Sequence, residues 1–169
     1  MNANKLIGSV SHGTMRNEDL IPCFVDLLSD LNEERSLEWQ KHFANELEAT
    51  KEFARLDKML GQIEERMNSG DDRYYSADDD SDSDLSDLFD ELGTFALPYF
   101  HFGAHEGDGS DYGFWLSSDS LEDFDGLRVD DLSEVPADYS GEVLHVNDHG
   151  NASLYACENG ECKEIWAIV

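Results

Sequence analysis

Positive charge is what this chain has least of: its 169 residues hold 11 Lys and Arg against 39 Asp and Glu, for a formal net charge of −28. No basic patch interleaved with aromatics exists, which argues against direct binding of nucleic acid or of an anionic membrane. Long apolar runs are missing too. The amino terminus has no charged region leading into an apolar stretch, so neither a transmembrane helix nor a signal peptide is expected, and the expected compartment is the cytoplasm. Cysteine is scarce, at three residues, and the odd count argues against a disulfide framework. Cys157 and Cys162 flank a predicted hairpin turn and could face each other, but a reducing cytosol predicts thiols. Glycine builds no phosphate cradle, because Gly107 and Gly109 sit among aspartates that would repel phosphate. Neither Ser11 beside His12 nor any thiol lies in a nucleophile elbow, so no enzymatic activity and no cofactor are expected.

What is present is acid, unevenly spread. Residues 1–70 carry 13 acids against 8 bases, Asp71 to Glu91 ten acids against Arg73 alone, and residues 92–169 another 16 acids against 2 bases. Set against duplex DNA, with two phosphates per base pair, 28 charges match roughly 14 base pairs or about 48 Å of duplex axis. A compact chain of this length has a radius of gyration of roughly 15 Å, so its charge per unit length is of the order of that of DNA. Such a body is drawn into clefts lined with Lys and Arg, at rates that fall with added salt.

Three plainer explanations compete. Adaptation to high salt makes a surface acidic throughout, but Glu33 to Met67 is balanced by Lys41, Lys51, Arg55, Lys58 and Arg66. A solvated linker accounts for Asp71 to Ser83 and leaves the later acids unexplained. Solubility requires far less charge than this.

Composition, at 40% hydrophobic residues with 18 aromatics, allows a single domain over 1–169 with a sizeable core. Leu20, Phe24, Leu27, Leu28 and Leu31 repeat at helical spacing and predict a helix over Asp19–Asn32, with Pro22 tolerable only in its first turn. From Ser36, the stripe Trp39, Phe43, Leu47, Phe53, Leu56, Leu60, Ile63 and Met67 predicts a helix of about thirty residues ending at Ser69-Gly70, with a break near Gly61. The helical part is 1–70. The acidic segment 71–91 is expected to be part disordered and part short helix from near Ser83, on Leu85, Leu88, Phe89 and Leu92.

Residues 92–169 read as β-rich: strands at Phe95–Phe102 and Gly113–Leu116 around the loop Gly107–Asp111, then a meander of Glu142–Val146, Ser153–Cys157 and Lys163–Val169. The fold class is therefore α+β, with N-terminal helices, one of them long, packed on a C-terminal, mainly antiparallel sheet of about five strands.

Four blocks, Ser11-His12-Gly13-Thr14-Met15-Arg16, Asp19-Leu20-Ile21-Pro22, His101 to Trp115 (HFGAHEGDGSDYGFW) and Val146-Asn147-Asp148-His149-Gly150-Asn151, resemble a group of small bacterial, phage and plasmid proteins without an assigned activity. The resemblance implies a prokaryotic or mobile-element setting, hence a host-cell cytosol if phage-borne. The composition is also similar to that of phage and plasmid DNA-mimic proteins, which inhibit restriction enzymes and other nucleic-acid-binding proteins; that likeness is one of charge.

Two metal readings arise from the residues. His101, His105, Asp108 and Asp111 share one loop region and His145 and His149 bracket a turn with Asp148, which would suit zinc or iron in a metal-dependent enzyme if the two regions met. The ladder Asp78, Asp80, Asp82, Asp84 invites a calcium loop, but no register supplies both the sixth-position glycine and the twelfth-position glutamate.

The expectation that best fits the charge is an inhibitor whose acidic face occupies the nucleic-acid channel of a basic protein of the restriction or CRISPR type. Its contact residues would be Asp78, Asp79, Asp80, Asp82, Asp84, Asp87 and Asp90, assisted by Asp119, Glu122, Asp123, Asp125, Asp130 and Asp131. The alternative is an immunity or antitoxin protein that covers one basic toxin and anchors on an exposed aromatic such as Trp115, Tyr74 or Tyr75.

Overall fold

A computed structural model describes residues 6–42, 47–71, 73–76 and 80–168. Its contacts group the described residues into two compact units, 6–116 and 117–168, where composition alone suggested one domain. The α+β class holds, with four α-helices and seven strands among the described residues. The strands form two sheets rather than one of about five.

The first unit runs β1 (Gly8–His12), α1 (Asn17–His42), α2 (Leu47–Met67), α3 (Asp80–Gly93), β2 (Phe100–His105) and β3 (Asp108–Leu116). Its antiparallel sheet has the order β1-β3-β2. Strand β1 escapes a periodicity reading because Gly-Ser-Val-Ser-His holds one apolar residue. Its pairing with β3 depends on Gly113, where an added Cβ would stand 2.1 Å from the Gly8 carbonyl oxygen. Phe24 of α1 and Phe89 of α3 meet Phe102 and Tyr112 of the sheet, with ring centroids 5.1 to 6.1 Å apart, in a core that also buries Leu20, Leu28, Leu31, Leu56 and Ile63. Ring edges against faces add to simple area burial.

Helix α1 does not stop at Asn32 or restart at Ser36. Residues 33–42 contain strong helix formers and no Gly or Pro, so nothing breaks the backbone ladder there. Pro22 sits in the second turn of α1 rather than the first. Helix α2 runs through Gly61, a site that lies open and costs about 1 kcal/mol relative to Ala without interrupting the helix. Phe43 of the predicted stripe lies outside the described residues.

The second unit contains α4 (Ser118–Glu122), β4 (Leu127–Val129), a 3-10 turn at Leu132–Glu134, β5 (Gly141–Val146), β6 (Ala152–Glu158) and β7 (Glu161–Ile168). Its sheet order is β4-β5-β6-β7; the predicted meander is present as β5-β6-β7, and the three-residue β4 adds a parallel edge. Val169, the end of the predicted last strand, lies outside the described residues. Trp166, Val143, Leu144 and Leu154 are fully buried.

Between β6 and β7, Asn159 (φ 50°) and Gly160 (φ 78°) turn the chain in two residues with both φ positive, as a type I′ hairpin requires. Glu158 and Glu161 close that loop, so Cys157 and Cys162 fall opposite each other at the next pair, with Cα atoms 4.0 Å apart. The expectation of thiols is corrected here: the two cysteines form a disulfide, and Cys23 alone is free.

Candidate partner-binding surface

Helix α3 carries the first group of predicted contact residues. Ser81, Asp84, Leu88 and Leu92 turn inward, leaving Asp80, Asp82, Asp87 and Asp90 exposed. Asp80 and Asp82 lie in the first turn, where the helix dipole favours negative charge, and Asn17 Nδ2 donates to Asp82 Oδ1 at 2.6 Å and to Ser81 Oγ at 3.0 Å. Asp78 and Asp79 lie outside the described residues.

Asp84 is not a surface residue. It is 4% exposed and accepts from Arg66 Nη2 at 2.6 Å, from Arg66 Nε at 2.8 Å and from the Tyr74 hydroxyl at 2.8 Å. Its place four residues before Leu88, on the inward stripe, accounts for the burial. Burial, and then the hydrogen bond to Asp84, holds the Tyr74 phenol well above its ordinary range. Nearby, Arg55 binds both Glu52 and Glu91 at 2.7 Å. Arg55, Arg66 and Arg73 are thus paired with acids of their own unit, Arg35 lies 4.2 Å from the centroid of the Phe95 ring, and the exposed aspartates of α3 form no ion pair with a described residue.

Their spacing is not that of a phosphate ladder. At 1.5 Å per residue, Asp80 and Asp87 stand about 10.5 Å apart along the axis, some three base-pair steps, whereas Asp87 and Asp90 stand about 4.5 Å apart.

In the second unit, Asp119, Glu122, Asp123 and Asp125 are all exposed on and just after α4, whose start is capped by the Ser117 hydroxyl accepting from the Ser120 N–H at 3.2 Å. Arg128 is spent internally: it donates to the Leu121 carbonyl and lies 5.4 Å from the centroid of the Phe124 ring. Asp130 and Asp131 follow β4, both exposed. Asp131 Oδ1 accepts from the Ser133 N–H at 2.8 Å and so fixes the 3-10 turn, which presents Leu132 at 39% exposure. Leu132 was missed in the sequence; its signal was a leucine with Asp130 and Glu134 at strand spacing on either side, so that no alternation gives it a buried face.

Four aspartates, half-buried Asp19 and exposed Asp71, Asp108 and Asp131, have carboxyls held below the ordinary range: Asp19 by a hydrogen bond from Arg16, Asp71 by Arg73, to about 2, Asp108 by the Ser110 N–H and Asp131 by the Ser133 N–H. A carboxyl depressed in the folded state contributes stability that is present above its unfolded pKa and lost as pH falls through the folded one. The melting temperature is therefore expected to decline as pH drops from about 4 toward 2. A melting temperature that stayed flat across that window would contradict the assigned bonds.

His105 is exposed, accepts from the Gly107 N–H on Nδ1 at 3.1 Å and meets the Trp115 ring at 4.7 Å; half-buried His101 lies opposite Trp115 in the sheet. His145 lies on β5 with Nε2 3.1 Å from the Asp130 carbonyl oxygen, and exposed His149 sits in the following turn. Among the described residues no three His, Cys, Asp or Glu are placed to hold a metal ion. The aspartate ladder from Asp80 onward lies on a helix, not in a calcium loop.

The four sequence blocks lie at the β1–α1 junction, in the first turns of α1, along β2 and β3, and in the β5–β6 turn. Thr14 and Arg16 bind Asp19 at the start of α1, the long block is the β2–β3 hairpin, and Asn147 Oδ1 accepts from the N–H groups of His149 and Asn151 in the β5–β6 turn. Of the suggested aromatic anchors, Tyr74 is buried, Tyr75 is half-buried against it at 4.6 Å, and half-buried Trp115 donates to the Gly103 carbonyl at 3.0 Å. No described helix is long and apolar enough to cross a membrane. Comparison with protein-family models, characterised proteins and solved structures returns no match.

Proposed function

We propose that this protein is a non-enzymatic inhibitor that binds the basic nucleic-acid cleft of a host or defence protein, of the restriction or CRISPR type, in the cytosol of the cell that makes it. The reading rests on one observation: Asp80, Asp82, Asp87 and Asp90 on one unit, and Asp119, Glu122, Asp123, Asp125, Asp130 and Asp131 on the other, are exposed and form no ion pair with a described residue, while Arg55, Arg66 and Arg128 are bound internally. Attraction then comes from charge density, not from carboxylates standing in for successive phosphates. Such a surface steers association and leaves selectivity to whatever apolar contact accompanies it.

Leu132 favours a second reading, an immunity or antitoxin protein for one basic toxin, because it offers an apolar contact ringed by Asp130, Asp131 and Glu134. Capture from a bacterial lysate at two salt concentrations, followed by competition with duplex DNA, separates the two. Nucleic-acid-binding proteins released by DNA support the inhibitor, whereas one small protein indifferent to DNA supports the immunity reading. Retention of nothing at low salt would refute both.

A further inference from the structure

The Cys157–Cys162 bridge closes a loop that other contacts already close. The Asn159-Gly160 turn supplies its own backbone geometry, the Gly160 N–H donates to the Tyr139 carbonyl at 2.9 Å, and the Asn159 N–H donates to Ser140 Oγ at 3.0 Å. Gly160 also packs so closely on the 137–140 segment that an added Cβ would stand 2.5 Å from the Ala137 carbonyl oxygen. A crosslink spanning so few residues removes little freedom from the unfolded chain, since that effect grows with loop length. The covalent bond is thus redundant as a staple.

Its two sulfurs are unequally placed. Cys157 is 7% exposed and packs with Val129 and Val143, whereas Cys162 is exposed beside Lys163 on an open hollow of about 850 Å³ along the hairpin. We propose that Cys157–Cys162 is a reversible thiol–disulfide exchange site that reacts, in the folded protein, with small thiols lacking negative charge. A thiolate attacks Cys162 Sγ and forms a mixed disulfide there. The Cys157–Cys162 bond breaks with its electron pair on Cys157 Sγ, which takes up a proton. The second thiolate of a dithiol then attacks the reductant's own sulfur in that mixed disulfide, releasing Cys162 as thiolate and the reductant as its cyclic disulfide. Two electrons pass from dithiol to protein; a small disulfide reverses the sequence. Glu158 and Glu161 line the hollow against the single cation Lys163, and their excess of negative charge disfavours anionic reagents.

The test uses the whole native chain. Dithiothreitol without denaturant, followed by iodoacetamide and mass spectrometry, is expected to label Cys157 and Cys162, neither of which labels in air-oxidised protein. Far-UV circular dichroism should stay unchanged and the melting temperature should fall by no more than about 10 °C. Hydroxyethyl disulfide, which is uncharged, should then restore the bridge. At matched thiolate concentration, mercaptoethanol should form the Cys162 adduct at least about threefold faster than thioglycolate, with the gap closing in high salt. A bridge that yields only after denaturation, labelling of both cysteines before reduction, or collapse of the circular dichroism signal on reduction or in the Cys157→Ser/Cys162→Ser variant would overturn the proposal. Equal rates for the two monothiols would overturn its charge selectivity.

Discussion

Neutralising ten exposed acids together, Asp80, Asp82, Asp87, Asp90, Asp119, Asp123, Asp125, Asp130 and Asp131 to Asn and Glu122 to Gln, is expected to weaken capture of the basic partner by about a thousandfold or more. An exposed ion pair contributes on the order of 0.5 kcal/mol, so any single replacement should change affinity only about twofold. The loss is therefore distributed, and it should be accompanied by a flatter dependence of affinity on salt, because fewer counterions are exchanged. Titrating the captured partner against the wild type, the four-residue α3 variant and the six-residue second-unit variant apportions the effect between the two surfaces. An unchanged affinity in the ten-residue variant would remove charge from the account altogether. Asp84 is left out of the set because its carboxylate faces Arg66 and Tyr74, not solvent.

Asp84→Asn is the opposite case, a single change with a large effect on stability and none expected on partner affinity beyond it. The substitution strips the charge from a bidentate pair and leaves the buried Tyr74 hydroxyl with a weaker acceptor. Breaking a fully buried pair costs about 3–5 kcal/mol; the Arg66 side chain is 37% exposed and recovers some hydration, so about 3 kcal/mol is expected here. For a unit of this size that lowers the melting temperature by roughly 10 °C or more. Asp87→Asn, one helical turn away and exposed, should stay within about 0.5 kcal/mol of wild type. Equal melting temperatures for the two variants would show that the Asp84 cluster does not hold α3 in place.

These two variants also mark how far the sequence can be read. Asp80, Asp82, Asp84 and Asp87 look alike as letters; only the inward stripe Ser81, Asp84, Leu88, Leu92 separates a tether from a surface. The stripe was half legible, since Leu88 and Leu92 were identified as its apolar members, but a lone aspartate on it carries no periodic signal until Arg66 is brought from 18 residues away. The meander and the helical stripes were legible because alternation and 3.6-residue spacing are local properties. Strand β1 and the three-residue β4 were not, because neither holds enough apolar residues to declare a face. Leu132 escaped for a related reason: exposure of a leucine depends on what the rest of its unit leaves uncovered. Cys157 and Cys162 were correctly seen to flank a turn, yet their chemistry had been assigned from the expected compartment instead of from the hairpin register.

The pairing of β1 with β3 joins Gly8 to Phe114 and Ser9 to Gly113 across more than a hundred residues. Closing a loop of that length costs roughly 4 kcal/mol of chain entropy before any contact offsets it. On the ribosome, which adds about 5–20 residues per second, β1 is made first yet waits at least several seconds for its partner strand. The helices form from local contacts in the meantime, so β1, made first, is among the last elements of its unit to settle. Until then its open edge must be kept from pairing elsewhere, and Gly8-Ser9-Val10-Ser11-His12, polar and interrupted by a bulge, is a poor template for a stranger.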